Sequence, residues 1–193
     1  MSVLHALEAP PPHLAPVAER LREVTVEIGA GDGRGAGILW APDLVVTNAH
    51  VARRAPLRVR LADDRQLEAR LVAADRRADL ALLAVPRTRV ALAALADSDA
   101  VCVGALVVAL GHPFGLRGML TAGIVHALGP LSAGGRRWIQ ADLRLAPGNS
   151  GGPLADTWGH IVGLNTMIAG GLALAIPIND VRHFVAGALA RSP

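Results

Sequence analysis

The chain contains neither lysine nor tyrosine, has a single cysteine, and draws only 3% of its 193 residues from aromatic types. Each shortage excludes something. With so few rings, the core must be assembled from Leu, Val, Ile and Ala. With one cysteine, Cys102, no internal disulfide can form. Its place in the apolar run AVCVGALVVAL reads as a small buried hydrophobe rather than a nucleophile. Without lysine, all 19 cations are Arg; set against 16 acids they leave a formal net charge of only +3. The basic isoelectric point follows from the missing Lys and Tyr, which would otherwise titrate near pH 10, and does not signal nucleic acid. The pairs Arg53-Arg54, Arg76-Arg77 and Arg136-Arg137 are scattered, whereas phosphate tracking needs a stripe on one face.

Other absences narrow the class further. No apolar run is long enough to span a bilayer. Residues 1–16 lack the basic and apolar regions of a secretory signal, so the expectation is a cytoplasmic chain, periplasmic only if it is processed or truncated. There is no H-E-x-x-H and no tight His/Cys/Asp cluster, so neither a metal nor another cofactor is expected. With 52% apolar and 18% charged residues, disorder is excluded.

What is present is a succession of short apolar runs. Pro10-Pro11-Pro12 and Pro16 mark residues 1–16 as an arm, and VAERLREV has helical spacing for about two turns. From residue 17 the chain reads as one domain. Six strand-like runs lie between about residues 24 and 86, and six more between about 101 and 178, joined by RTRVALAALADSDA. Repeated short strands indicate an all-β sandwich or a pair of barrels. A final helix is expected over about 180–190, capped by Asn179 or Asp180, with Val181, Phe184, Val185 and Leu189 on one stripe.

Chemistry concentrates in APGNSGGPLAD. A serine hydroxyl is a weak nucleophile at neutral pH and needs a base and a site for the oxyanion. Glycines beside Ser150 permit backbone angles that direct the N–H groups of Gly148 and Ser150 to one point; a plain Gly-rich turn is the bland alternative. Of the seven histidines, His50 alone sits at the end of an apolar strand, in LVVTNAHVA. The third member must be a carboxylate that orients the imidazole. Asp79 opens an apolar strand, where an unpaired charge would be costly; Asp75, in AADRRA, reads as exposed turn. The order His50, Asp79, Ser150 is that of the chymotrypsin-type triad, and it puts His and Asp in the first strand set and Ser in the second.

The blocks VVTNAHV, ADLALLAV, ALGHPFGLRGMLTAGIVHAL, ADLRLAPGNSGGPLAD, IVGLNTMI and LALAIPIND, in this order from about Val24 to Asp180, resemble the trypsin-like HtrA/Deg serine proteases. The resemblance implies two six-stranded antiparallel β-barrels with the active site between them, a His50–Asp79–Ser150 triad, and a serine endopeptidase acting on unfolded or damaged proteins in protein quality control. It also implies a homotrimer as the assembly, and backbone of Gly163–Thr166, including Leu164, Asn165 and Thr166, presented to an extended peptide. His112 stands where the family usually has Asn. The chain ends at Pro193 after one helix, where family members commonly continue into PDZ domains. Arg144, six residues before Ser150, occupies the base of the primary specificity pocket in trypsin-like enzymes. It either receives an acidic side chain there or turns to solvent or Asp142, leaving Leu143 or Leu145 to line a pocket for small or medium aliphatic residues; the second is preferred. The alternative function is a catalytically quiet peptide-binding or chaperone-like scaffold.

Overall fold

Several of the apolar runs show no alternation: LALLA and LVVALG are apolar throughout. A strand of that kind must be covered on both faces, and the computed structural model, which describes residues 13–30 and 33–191, shows how. After a short helix, α1 (Ala15–Val24), come β1 (Thr25–Ala30), β2 (Gly33–Ala41), β3 (Leu44–Thr47), β4 (Leu57–Arg60), β5 (Gln66–Asp75) and β6 (Leu80–Ala84). They close into a barrel in the order β1-β2-β3-β6-β5-β4. The second set is β7 (Leu106–Gly111), β8 (Met119–Gly129), β9 (Trp138–Asp142), β10 (Pro153–Asp156), β11 (Ile161–Ala169) and β12 (Leu172–Pro177). It closes in the order β10-β11-β12-β9-β8-β7, and α2 (Ile178–Ala190) follows. All ladders are antiparallel. The expected pair of six-stranded antiparallel barrels with a C-terminal helix is the fold.

Three apolar clusters hold it together. Val26, Ile28, Leu39, Val45, Val59 and Leu83 fill the first barrel, and Val107, Val125, Ile139, Leu154 and Ala175 fill the second. A third cluster lies between the barrels, where Ile38, Val46 and Leu82 meet Val108, Leu110, Leu164 and Ile176, sealed by Leu21 of α1 and Val181 and Val185 of α2. Strands feeding that seam bury both faces, which explains their unbroken runs. Each such fully buried Leu or Ile contributes about 1.5–3 kcal/mol. On β4, by contrast, Leu57 and Val59 are buried while Arg58 is exposed, the alternation of a strand with one wet face.

The structure corrects three expectations. The first twelve residues of the arm lie outside the described ones, and its end is helical: α1 begins at Ala15, with Pro16 in the first turn, where its missing N–H costs nothing. Cys102 is exposed rather than buried, because β7 starts only at Leu106 after a turn at Gly104 (φ +87°). α2 starts at Ile178, one residue before Asn179 and two before Asp180, so neither proposed cap precedes it. Instead Asn179 N–H donates to Ser98 Oγ at 3.2 Å, a hydroxyl brought in from the inter-barrel connection. Leu189 faces solvent, and Ala188 takes its place on the buried stripe.

Candidate active site

β3 ends at Thr47, and the chain turns back through Val51 N–H to Asn48 O at 3.1 Å. His50 is carried on that turn. Asp79 lies immediately before β6 and has φ +55°, a left-handed conformation that Asp tolerates better than most residues. One histidine takes both oxygens of the carboxylate: His50 N–H donates to Oδ1 at 3.0 Å, and His50 Nδ1 lies 2.8 Å from Oδ2. That arrangement fixes the Nδ1–H tautomer and leaves Nε2 as the basic nitrogen. Asp75, the competing acid, is exposed and caps its own turn through the N–H groups of Arg77 and Ala78, each at 2.9 Å.

The peptide that carries Asp79 is held from three directions. Asn48 Nδ2 donates to Asp79 O and to Thr166 Oγ1, both at 2.9 Å. Asp75 Oδ1 accepts from Ala78 N–H. From the second barrel, Arg136 Nη1 donates to Ala78 O at 2.5 Å, its guanidinium stacked 4.5 Å over the Trp138 ring.

Ser150 belongs to the loop between β9 and β10. Two positive-φ glycines of that loop, and Gly152 after them, admit no side chain. At Gly148 (φ +109°) a Cβ would lie 2.4 Å from His112 O, and at Gly151 (φ +85°) it would lie 2.1 Å from Ala36 O and 2.2 Å from Thr47 Oγ1. The loop is thereby pressed against the first barrel, where Ala36 N–H donates to Ser150 O at 2.8 Å. Ser150 Oγ donates to Thr166 O at 3.0 Å, and no hydrogen bond joins it to His50. Among the described residues, no acceptor takes the N–H of Gly148 or of Ser150.

Beside Ser150 opens a cavity of about 280 Å³, bordered by Leu145, Pro147, Thr166, Met167 and Ile168. It is apolar where it meets the cleft. Leu145 and Thr166 border that cavity, whereas Arg144 is exposed and outside its lining. Leu164 is sealed in the inter-barrel cluster. Asn165 is buried, with its N–H given to Gly152 O at 2.9 Å and its carbonyl taken by Gly151 N–H at 2.8 Å. Neither Leu164 nor Asn165 is available to a substrate. β10 pairs with β11 only as far as Leu164, so the open edge of β11 starts at Thr166, and Met167 and Ile168 are the residues that sequence reasoning missed. The point at which β10 stops pairing with β11 leaves no mark in composition. Among the described residues no group of three or more His, Cys, Asp or Glu is placed to hold a metal ion.

His112 backs the serine loop. It is 6% exposed, its N–H donates to Gly148 O at 3.1 Å, and its Nδ1 accepts from Gly118 N–H at 3.3 Å. Burial pulls the imidazole pKa below its usual 6.5, with nearby Glu27 opposing the shift and Arg117 adding to it.

Comparison with known proteins agrees with this geometry. The family described as "Trypsin-like peptidase domain" matches residues 35–164. The periplasmic serine endoprotease DegP of Escherichia coli (strain K12) is 39% identical over 163 residues, covering 77% of this chain and 34% of that protein. The periplasmic pH-dependent serine endoprotease DegQ of the same organism is 37% identical over 164 residues, covering 78% and 36%. The chain thus spans about a third of the length of these curated relatives. Among solved structures, the HtrA-type protease AlgW with a tripeptide superposes with a TM-score of 0.85 at 30% identity, over 91% of this chain and 63% of that one. AlgW with a decapeptide gives 0.85 at 25%, over 93% and 68%.

These names correct the cytoplasmic expectation: the DegP and DegQ relatives are periplasmic. The absence of a recognisable leader in residues 1–16 was no guide to compartment. Because the family match covers residues 35–164, more than half of the chain and most strands of both barrels, the chain belongs to the trypsin-like peptidase domain family, within its HtrA/Deg group.

Proposed function

We propose that the chain is a serine endopeptidase working through His50, Asp79 and Ser150. The observation that carries this reading is the double engagement of the Asp79 carboxylate by His50, which leaves Nε2 free to act as base. In the reaction, Ser150 Oγ–H swings from Thr166 O to His50 Nε2. Oγ attacks the scissile carbonyl as its proton passes to Nε2, and the oxyanion is received by the N–H groups of Gly148 and Ser150. The imidazolium then protonates the leaving amine, and the C–N bond breaks to give the acyl-enzyme. Water, deprotonated by Nε2, attacks the ester and releases the acid, restoring Ser150. Asp79 stays ionised throughout and stabilises the imidazolium.

The substrate in this reading is an extended segment of unfolded or damaged protein, adding as a strand along the open edge of β11. The residue before the cleaved bond enters the apolar cavity, which suits small or medium aliphatic side chains. The periplasm is the compartment, and the assembly is a homotrimer; sedimentation at about three times the single-chain mass of 19.9 kDa supports that assembly and a single-chain mass removes it.

A second reading, the catalytically quiet peptide-binding or chaperone-like scaffold, draws on one observation: Ser150 Oγ rests on Thr166 O rather than on His50. A fluorophosphonate reagent distinguishes the two. Labelling of the wild type and not of Ser150→Ala supports the peptidase. No labelling, even with unfolded protein present, supports the scaffold. Peptide-library profiling dominated by acidic residues before the cleaved bond removes the aliphatic assignment.

A further inference from the structure

The seam around Ser150 has two sides, and only one is taken by the apolar cavity. On the other, β2 runs directly against the serine loop. Ala36 N–H holds Ser150 O, and a Cβ at Gly35 would come within 3.2 Å of that oxygen and 2.6 Å of Val51. The next residue outward is Arg34. Side chains alternate along a strand, so Arg34 turns to the outer face of the first barrel. There its Nη1 lies 3.0 Å from Glu27 Oε1, and Arg60 Nε approaches Glu27 Oε2 at 3.8 Å. Arg58, two residues before Arg60 on the same face of β4, has no ionic partner among the described residues. Glu68 stands opposite it in the β4–β5 ladder without pairing with it. Arg34, Arg58, Arg60, Glu27 and Gln66 border an open cavity of about 300 Å³, and Glu68 lies outside its lining.

Its charge is unbalanced by construction. One carboxylate, on a side chain 9% exposed, is flanked by guanidiniums that are 63% (Arg34) and 39% (Arg60) exposed, and a third guanidinium lies alongside. Glu27 therefore works as a strut that fixes Arg34 and Arg60 in place while cancelling one of three charges. Guanidinium forks held in this way match a carboxylate in two-point geometry. A peptide whose acyl side lies along β11 and in the apolar cavity must carry its leaving-group side across Gly35 and Arg34. Arg34 is two residues from Ala36, about 7 Å along an extended chain, so side chains some two to four residues past the cleaved bond come within reach.

We propose that the cavity formed by Arg34, Arg58 and Arg60 is a subsite for acidic side chains on the leaving-group side of the substrate. It rests on the serine-endopeptidase reading and adds to it a substrate class: segments with an aliphatic residue before the bond and Asp or Glu shortly after it. No Lys is present to contribute this charge, and the cavity draws it from strands rather than loops, so the site is rigid.

The test uses internally quenched peptides identical up to the cleaved bond, with Asp and Glu, or Asn and Gln, or Lys, at the second to fourth residues after it. The readout is the ratio of kcat/KM values for acidic and amide peptides measured on one preparation, which cancels the amount of folded enzyme. The expected ratio is about tenfold at low ionic strength, shrinking in high salt. It falls to within about twofold in Arg34→Gln/Arg58→Gln, and reverses in favour of the Lys peptide in Arg58→Glu. Equal rates for acidic and amide peptides in the wild type, or an unchanged ratio in the variants, overturn the subsite and leave the peptidase standing. No cleavage of any peptide together with no fluorophosphonate labelling of Ser150 overturns the peptidase reading, and the subsite with it.

Discussion

Arg136 of the second barrel donates a hydrogen bond to the carbonyl of Ala78, the residue immediately before Asp79 in the first. The tie crosses the inter-barrel seam behind the carboxylate, and Asp79 is one of the acids whose charge Arg136 feels. It braces a peptide unit that already sits in a left-handed bend. Replacing Arg136 by Met keeps much of the bulk over Trp138 but removes the hydrogen bond and the charge. A hydrogen bond from a charged donor is worth about 1.5–3 kcal/mol, and only part of that bears on Asp79 orientation. The expected loss is therefore about 5–30-fold in kcat with KM nearly unchanged, since 1.4 kcal/mol is about tenfold. A variant with wild-type kcat and KM would show Arg136 to be packing alone.

Asp79→Asn should leave the fold intact and remove the acceptor that orients His50. An amide can accept from His50 N–H through its oxygen, but its NH2 then faces Nδ1 and selects the wrong tautomer. The loss expected in kcat is about 10³–10⁴-fold. Asp75→Asn, by contrast, keeps an oxygen that can accept from Arg77 and Ala78 N–H and makes no bond to His50, so its rate should stay within about threefold of wild type. Equal losses in the two variants would mean that the acid has been misassigned.

Gly151→Ala tests how tightly the serine loop is pressed on β2. A methyl there meets Ala36 O and Thr47 Oγ1 at about 2 Å, in addition to the left-handed backbone. Gly170→Ala shares a positive φ of 58° but meets nothing within 4 Å. The second change should cost only the conformational term, about 1 kcal/mol. The first should cost at least about 3 kcal/mol, which in a chain of this size lowers Tm by at least about 6 °C. Calorimetry of the pair reads the difference directly, and matching Tm values would show the loop free to move away.

These outcomes also mark where the sequence was informative. The barrels were legible because twelve short runs are separated by turn residues, and the seam strands betrayed themselves by lacking alternation. His50 and Asp79 could be paired because an acid opening an apolar strand needs a partner. Leu164 and Asn165 were misjudged as substrate contacts for a different reason. The usable edge of β11 is set by where β10 stops pairing, a tertiary event that shifts the cleft to Met167 and Ile168. Cys102 was misjudged because its apolar run was taken as buried, although the turn at Gly104 sets it outside β7. The grouping of Arg34, Arg58 and Arg60 was not legible, since β2 and β4, on either side of β1, bring together positions up to 26 apart in sequence.

His112 supplies the last prediction. Its ring is buried against Gly118 N–H and the serine loop, with Glu27 and Arg117 as the charged groups nearby, and burial lowers its pKa from 6.5. Below about pH 6.5 the unfolded chain takes up a proton that the folded chain resists, so the unfolded state binds more protons and stability falls as pH falls. The stability is fully present above 6.5 and is lost progressively as the pH drops toward the lowered folded value. Every kcal/mol lost lowers Tm by about 2–4 °C. The carboxylates add a background of their own, so the diagnostic quantity is a difference. Between pH 7 and 5 the Tm of the wild type should fall more steeply than that of His112→Asn, which cannot titrate. Because His112 N–H also anchors Gly148 O, the wild type should lose more of its hydrolytic rate over the same interval than His112→Asn does. Parallel Tm curves would show that the protonation of His112 has no part in the acid sensitivity of the serine loop.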